Sequence, residues 1–261
     1  MALPGLVLVH GGAHAADCWD LTVAELAAQA PELRVVAVDL PGRAGKPADL
    51  ATVTIADWVK SAVADVEDAG LGEVVVVGHS MGGLTVPGVV ALLGAARVRE
   101  MILLSAFVPP QGSSVVDALR GPLAPLARSA RWIRKPFPMP RAAARFAFCN
   151  GMTREQRELT LSRLCLESPN VIFEPADRGD LPDEVPRTWI MTLDDRALSV
   201  RQQLAAIGSL GGVDTMICVD GCHDVMFTEP KLLANILADR CRLRAGSQDA
   251  RGPGKVTDIC H

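Results

Sequence analysis

The stretch that decides the fold is "VVVVGHSMGGL", residues 74–84, in which one serine stands among glycines directly after an aliphatic run. Four consecutive valines are typical of a strand that is buried on both faces. Glycine and serine are poor residues for the interior of either a strand or a helix. Because "LTVPGVVALLGAA" (84–96) then places apolar residues at helical spacing, the stretch predicts a sharp turn between a strand and a helix.

The glycine spacing gives this turn a chemical meaning. In a G-x-S-x-G turn the serine is held in a strained backbone conformation, with its hydroxyl exposed above the sheet. Neighbours two positions away must be small, or their side chains would collide, and Gly78, Gly82 and Gly83 meet that need. The alternative is an ordinary glycine-rich turn. We favour the first interpretation, in which strain exposes Ser80 as a nucleophile.

Short aliphatic runs alternate with helical patterns along most of the chain. This alternation predicts an α/β fold with a doubly wound, mainly parallel sheet of about six strands and helices on both faces. The predicted core comprises residues 1–108 and 187–245. Its strand-like runs are at 6–9, 34–40, 73–78, 100–106, 187–192 and 214–220.

The interval 109–186 breaks this alternation and is predicted to be a mostly helical cap insertion. Turn-rich segments open and close it, and no clear buried strand lies between them. Residues 118–154 carry no acid, whereas the rest of the chain has a charge of about −12. The cations of this segment either pair with core acids and solvent or attract an anionic substrate or an acidic carrier protein. They are Arg120, Arg128, Arg131, Arg134, Lys135, Arg141, Arg145 and Arg154.

Composition and charge exclude several classes of protein. The 261 residues carry a net charge of −4, which argues against general nucleic-acid binding. No apolar run reaches the roughly 20 residues of a membrane span, and the amino-terminal residues lack the basic segment of a secretory signal. We therefore expect a cytoplasmic protein with a disordered tail at 246–261. Seven scattered cysteines fit reduced thiols, and Cys218, Cys222 and His223 lack a further ligand pair, so we expect no metal and no cofactor.

A serine nucleophile needs a general base and a carboxylate that orients the base. His223 follows the last strand, and the loops at the carboxyl ends of parallel strands gather at one crevice, so His223 is the predicted base. Asp194 and Asp195 both follow the preceding strand, which agrees with the order serine, acid, histidine. We favour Asp195, because "RALS" (196–199) begins the next helix directly after it, and Asp194 remains the alternative.

Two backbone N–H groups are needed to bind a developing oxyanion. Met81, directly after the nucleophile, and Gly12, in the first loop "LVLVHGGAHAADCW" (6–19), are the predicted donors. His10 is expected to tie this loop to neighbouring backbone. Apolar residues of the cap either line a substrate pocket or serve only to pack the cap itself. The candidate pocket residues are His10, Gly11, Trp132, Phe137, Met139, Phe146 and Phe148.

Five segments together resemble the α/β-hydrolase superfamily, and most closely its compact branch of plant methylesterases and hydroxynitrile lyases. They are "LVLVHGGAHAADCW", "VVAVDLPGRAG", "VVVVGHSMGGL", "ILLSAFVP" and "GCHDVMFTEP", and the resemblance covers about residues 5–110 and 187–240. It implies a six-stranded sheet with a helical cap and no cofactor. Lyases resembling this chain carry threonine and lysine where it has Gly11 and Asp224, and an aspartate would repel cyanide, which argues against a lyase.

The favoured interpretation is a serine hydrolase that acts on a small-molecule acyl substrate through an acyl-enzyme. The bond cleaved is that of a carboxylic ester, a lactone or a thioester. Two alternatives stay open. The first is a cyclase-like or thioesterase-like tailoring enzyme of a natural-product pathway, and the second is a small-ligand receptor that keeps the triad but has little turnover.

Overall fold

The computed structural model describes residues 2–121, 124–129, 135–245 and 257–260. Seven parallel strands of this part of the chain form one sheet, and two short strands form a separate antiparallel pair. In chain order the strands are β1 (Gly5–Val9), β2 (Val35–Val38), β3 (Val74–His79), β4 (Val98–Leu104), β5 (Phe137–Pro138), β6 (Leu166–Glu167), β7 (Arg187–Thr192), β8 (Thr215–Val219) and β9 (Thr257–Cys260).

Helices cover both faces of the large sheet, which confirms the predicted fold class. The faces of β1 and β3 alternate between two apolar clusters, so aliphatic residues at every strand position have a partner layer. Helices α2 (Ile55–Asp68), α3 (Gly82–Leu93) and α9 (Val200–Ser209) pack on one face. The other face is covered by α1 (Asp20–Gln29) and α11 (Pro230–Ala245), with the short helix α10 (Val225–Thr228) preceding α11.

The order of the sheet, β2-β1-β3-β4-β7-β8-β9, reverses between β1 and β3. In an open parallel sheet this switch point opens a crevice outside the carboxyl ends of the strands, where ligands bind. The loop after β1 contains Gly12, and the turn after β3 contains Ser80. The topology therefore brings the predicted nucleophile and a predicted oxyanion donor to the same place.

Residues 109–186 lie between β4 and β7 and contain short helices together with the β5–β6 pair, which the sequence did not predict. Packing joins this insertion to both faces of the sheet, because Val171 belongs to one apolar cluster and Ala144 to the other. Its helices are α4 (Val115–Ala118), α5 (Ala124–Ser129), α6 (Arg141–Phe148), α7 (Arg154–Ser162) and α8 (Pro169–Phe173).

The carboxyl-terminal residues differ from the prediction of a disordered tail at 246–261. Residues 257–260 form β9, which pairs in parallel with Thr215–Cys218 of β8. Without β9, the N–H and C=O groups along one edge of β8 would have no strand to pair with. A short segment that contains threonine and isoleucine suits pairing at this edge. The remaining tail residues, 246–256 and 261, lie outside the described residues. Across the described ranges, every helix falls short of the length and apolar character that a membrane span requires.

Candidate active site

The turn after β3 holds Ser80 in a left-handed backbone conformation, with φ of +49°. Three backbone hydrogen bonds stabilise this conformation: the Ser80 N–H donates to Leu104 O (3.1 Å), and Ser80 O accepts the N–H groups of Phe107 (2.7 Å) and Gly83 (3.0 Å). A Cβ added at Gly83 would lie 2.6 Å from the Phe107 carbonyl oxygen, so only glycine allows this approach. The turn is strained and tightly packed, as the glycine spacing predicted.

His223 bridges Ser80 and Asp195. Its Nε2 lies 2.9 Å from Ser80 Oγ, and its Nδ1 lies 2.7 Å from Asp195 Oδ2. Both the imidazole and the carboxylate are buried. With Nδ1–H donating to the carboxylate, Nε2 is free to accept the serine proton, which is the arrangement of a Ser-His-Asp triad.

The two adjacent aspartates have different partners. Asp195 accepts hydrogen bonds from His223 and, through Oδ1, from the N–H groups of Ala197 and Leu198, both at 2.7 Å. The Asp194 carboxylate instead accepts the side-chain amide of Asn150 at 3.0 Å. The structure thus brings Asp195, and not Asp194, to the imidazole.

A hydroxyl chain behind Asp195 was not predicted from the sequence. Thr192 Oγ1 donates to Asp195 Oδ2 (3.0 Å) and therefore accepts from Ser105 Oγ, 2.6 Å away. Thr192 is the last residue of β7 and is fully buried, and Gln203 Nε2 also donates to its backbone oxygen (2.9 Å). A polar residue at the end of a buried strand is the one signal in the sequence that could have drawn attention to it.

The electrostatic environment favours a protonated His223. Burial by itself lowers the pKa of this imidazole, but the charge of Asp195 and the hydrogen bond to it outweigh burial, so the pKa lies above its ordinary value. Since the base must be neutral to accept the serine proton, this shift has a direct consequence for the pH dependence of activity.

The predicted oxyanion donors lie beside Ser80. Gly12 and Met81 line the same cavity as Ser80, and among the backbone hydrogen bonds of the described residues neither N–H donates to a protein acceptor. Gly11 does not line the cavity, contrary to the prediction. A Cβ there would lie 2.7 Å from Ser80 Cβ, so Gly11 lets the first loop approach Ser80 closely.

His10 ties the first loop to neighbouring backbone. Its Nε2 accepts the Leu40 N–H (3.2 Å), which leaves Nδ1–H to donate to Gly11 O (2.9 Å). Burial and the charge of Arg43 hold the pKa of His10 well below its ordinary value, which favours this neutral form. His10 does not contribute to the cavity wall, so its prediction as a pocket residue was wrong.

The cavity above Ser80 is small, about 120 Å³, and its walls are almost entirely apolar. The Phe148 ring stacks on the His223 ring, with centroids 5.4 Å apart. Phe146 lies elsewhere, 47% exposed beneath the guanidinium of Arg196, and Trp132 lies outside the described residues. The apolar walls are formed by Phe107, Leu119, Phe137, Met139, Phe148, Ile172 and Leu198.

Comparison with known proteins agrees with this geometry. The model of a family described as the alpha/beta hydrolase family matches residues 6–236. The chain belongs to this family. An alpha/beta hydrolase described as extracellular, from a Paenibacillus species, superposes with a TM-score of 0.79 at 22% identity, covering 90% of this chain and 98% of that one.

The curated relatives of this alpha/beta hydrolase are named as esterases and hydrolases. A carbendazim-hydrolysing esterase of Nocardioides sp. is 33% identical over 125 residues, 47% of this chain and 50% of the relative. A pyrethroid hydrolase of Sphingobium wenxiniae is 27% identical over 262 residues, 92% of this chain and 88% of the relative. The chain spans half of the first of these, and 64% of a methylesterase-like protein of Arabidopsis thaliana.

A second histidine–carboxylate pair, His14 with Asp224, lies next to His223 in this alpha/beta hydrolase. His14 donates through Nδ1 to Gly12 O (2.8 Å) and contacts Asp224 Oδ2 through Nε2 (3.0 Å). Burial lowers the pKa of His14, but Asp224 outweighs burial and raises it. Asp224 is fully buried and does not line the cavity, so its charge does not face a substrate as the argument against a lyase assumed.

Three buried side chains, Asp224 and two histidines, lie close enough together to be considered as metal ligands. Ligand atoms of His79, His223 and Asp224 all lie within 4.8 Å of one another. Both nitrogens of His223 already bind Ser80 and Asp195, and His79 Nε2 donates to His223 O at 3.1 Å. A cation would have to break these bonds, so the donor set fits a hydrogen-bond network better than a metal centre.

Proposed function

We propose that this alpha/beta hydrolase is a serine hydrolase that cleaves a carboxylic ester, a lactone or a thioester through an acyl-enzyme on Ser80. The observation that carries the proposal is the His223 ring, whose two nitrogens lie 2.9 Å from Ser80 Oγ and 2.7 Å from Asp195 Oδ2 at an apolar cavity. Relatives named as esterases and hydrolases support the same chemistry.

Each residue has a defined role in the proposed mechanism. Ser80 Oγ attacks the carbonyl carbon while His223 Nε2 takes the serine proton, and the N–H groups of Gly12 and Met81 bind the oxyanion. Asp195 holds the imidazole in orientation and stabilises its cation. His223 then gives the proton to the leaving oxygen or sulfur, which becomes an alcohol or a thiol or, for a lactone, the hydroxyl end of the opened chain. The same imidazole next deprotonates a water molecule that attacks the acyl group, and it returns this proton to Ser80 Oγ as the acid leaves.

The cavity favours an uncharged, apolar and compact group next to the scissile carbonyl. Among the described residues of the cavity wall, Glu167 is the one carboxylate, and its charge is already paired with Arg43. A charged acyl group would lose its hydration against these apolar side chains without gaining a charged partner among the described wall residues. The acyl side of the substrate therefore presents hydrocarbon to this space. This argument does not depend on whether the cleaved bond is that of an ester, a lactone or a thioester.

A substrate panel tests the proposal. Purified protein is assayed with p-nitrophenyl esters of increasing acyl length, an aliphatic lactone and an acyl thioester, with Ser80→Ala as the matched control. We expect turnover of at least one short, uncharged substrate and a loss of roughly 10⁴-fold in kcat for the variant, because only binding and oxyanion stabilisation remain. Tight binding of these compounds with no turnover would instead favour the receptor alternative.

A further inference from the structure

Both backbone polar groups of Ala13 are bound by the insertion. The Ala13 N–H donates to Glu167 Oε2 (2.7 Å), and the Cys165 N–H donates to Ala13 O (2.9 Å). Ala13 has φ of +57°, a left-handed conformation that is unfavourable for any residue with a Cβ. The conformation of this residue therefore depends on contacts made by a distant part of the chain.

Glu167 is itself held rigidly. It is 5% exposed, its two oxygens accept from Arg43 Nη2 at 3.2 and 3.0 Å, and Oε1 also accepts the Ser168 N–H at 2.7 Å. Arg43 is buried as well, and its remaining donors bind His14 O and Leu166 O, both at 2.8 Å. The ion pair thus connects the first loop of the core with the insertion.

The residue fixed in this way follows the predicted oxyanion donor. The orientation of the Gly12–Ala13 peptide restricts the backbone of Gly12, whose N–H must lie within about 3 Å of the developing oxyanion. We propose that Glu167, held by Arg43, is a positioning residue that keeps the loop at Gly12 and Ala13 in the conformation that binds the oxyanion. This inference rests on the proposed function and adds to it a residue outside the triad.

A positioning role differs from a role in substrate selection, although Glu167 also lines the cavity. Interactions that strengthen only in the transition state affect kcat, whereas contacts with the bound substrate affect KM. Loss of the Ala13 contact should therefore lower kcat and leave KM nearly unchanged. The same loss should slow any reaction of Ser80 that places negative oxygen at Gly12 and Met81.

The test compares Glu167→Gln and Glu167→Asp with the wild-type chain. Glutamine keeps the size of the side chain but removes its charge. Aspartate keeps the charge that pairs with Arg43, but its shorter side chain no longer reaches the Ala13 N–H. Glu100→Gln is the matched control, because Glu100 is also a fully buried carboxylate and is bound by Arg240 and Arg244. It lies near the amino-terminal end of β4, whereas Ser80 lies at the carboxyl edge of the sheet. Thermal unfolding of all four proteins establishes that each variant is folded.

Two rates are measured for each protein: turnover of p-nitrophenyl acetate, and modification of Ser80 by diethyl p-nitrophenyl phosphate. In the second reaction a Ser80 Oγ–P bond forms, p-nitrophenolate leaves and His223 takes the serine proton. We expect both Glu167 variants to lose about tenfold to hundredfold in kcat and in the modification rate, a fraction of the loss of a whole oxyanion donor. Glu100→Gln should retain both rates, even if its melting temperature falls.

The outcomes separate the two proposals. If the wild-type chain neither hydrolyses the ester nor is modified at Ser80, the proposed function is wrong and this inference is wrong with it. If the wild-type chain does both, and a folded Glu167 variant keeps its kcat within about threefold or changes only KM, the inference alone is overturned.

Discussion

Three residues other than glycine have positive φ in the described part of the chain: Ser80, the proposed nucleophile, and two residues of neighbouring loops. Ala13 (+57°), Ser80 (+49°) and Ser105 (+42°) each follow a strand at the carboxyl edge of the sheet. Such conformations cost of order 1–2 kcal/mol each and persist only where surrounding contacts hold them. The strain at single residues is therefore concentrated where the side chains and N–H groups must be placed for chemistry.

Substitution of the two adjacent aspartates should separate their roles. Asp195→Asn presents an amide to His223 Nδ1, which favours the wrong tautomer of the imidazole and should lower kcat by up to about 10⁴-fold. Asp194→Asn keeps an acceptor for the side-chain amide of Asn150 and should leave kcat nearly unchanged. The measurement is steady-state kinetics on the best ester of the panel, and a larger loss for Asp194→Asn would refute the assignment.

The pH dependence of kcat/KM follows from the raised pKa of His223. In the proposed mechanism the neutral imidazole is the base, so activity should fall as pH drops through this pKa, which lies above the ordinary value of 6.5. Removing the Asp195 charge takes away the main contribution that raises the pKa. We therefore expect the acid limb to lie above pH 6.5 in the wild-type chain and to move to lower pH in Asp195→Asn. A limb that does not move would show that another group titrates.

Spacing in the sequence identified some site residues and could not identify others. Ser80, Asp195 and His223 follow strands in a chain order that the sequence displays, so their meeting at one edge was predictable. Glu167 and Arg43 are 124 residues apart; Arg43 lies in the segment "VVAVDLPGRAG", but nothing in that segment indicates its partner, and Glu167 lies in none of the quoted segments. Their pairing depends on how the insertion folds back on the first loop, which no local pattern encodes.

At the scale of elements, the junction between β3 and α3 depends on glycine at defined positions. A methyl group at Gly83 would contact the Phe107 carbonyl at 2.6 Å, and backbone cannot yield easily. Gly83→Ala should cost about 1–3 kcal/mol in the free energy of unfolding and lower activity, because the turn that exposes the nucleophile must shift.

The matched control is Gly208→Ala in α9, where an added Cβ meets no atom within 4 Å. Alanine there should stabilise the fold by about 0.4–1 kcal/mol, because it reduces the entropy of the unfolded chain and favours helix. Denaturant unfolding measures both effects. Equal effects of the two substitutions would contradict the packing described at the junction.

Element prediction succeeded where burial produces a repeated pattern. Central strands such as β3 are apolar on both faces, and α2 has a wide apolar stripe after its Thr54 cap, so both can be identified in the sequence. The strands β5 and β6 have two residues each, too few for any period, and β9 follows a glycine-rich segment. These elements are defined by their pairing partners rather than by their own sequences.

At the scale of the whole molecule, the role of the basic segment, residues 118–154, stays a prediction. Its described cations are exposed, and Arg154 pairs with Glu158 four residues along the same helix at 2.9 Å. Exposed pairs of this kind contribute little to stability. Arg131 and Arg134 lie outside the described residues, and an acidic carrier protein is therefore still an expectation from charge alone.

The substrate could not be predicted from the sequence, because the cavity is assembled from both parts of the fold. Its walls come from the β4 loop, from the loop after β7 and from the insertion, as the positions of Phe107, Leu198 and Phe148 illustrate. The shape of such a space depends on packing between segments that are far apart in the chain. The glycine spacing of one turn pointed to the proposed chemistry, whereas the specificity depends on the assembled walls.

The central claim is that Ser80, activated by His223, forms a covalent acyl-enzyme. The most direct measurement is to mix the protein with a p-nitrophenyl ester, quench with acid within the first turnovers and locate the adduct by peptide mass spectrometry. The account predicts the mass of one acyl group on Ser80, a matching burst of p-nitrophenol, and loss of both in Ser80→Ala and His223→Ala. Turnover without an adduct on Ser80, or with the acyl group on another residue, would contradict it.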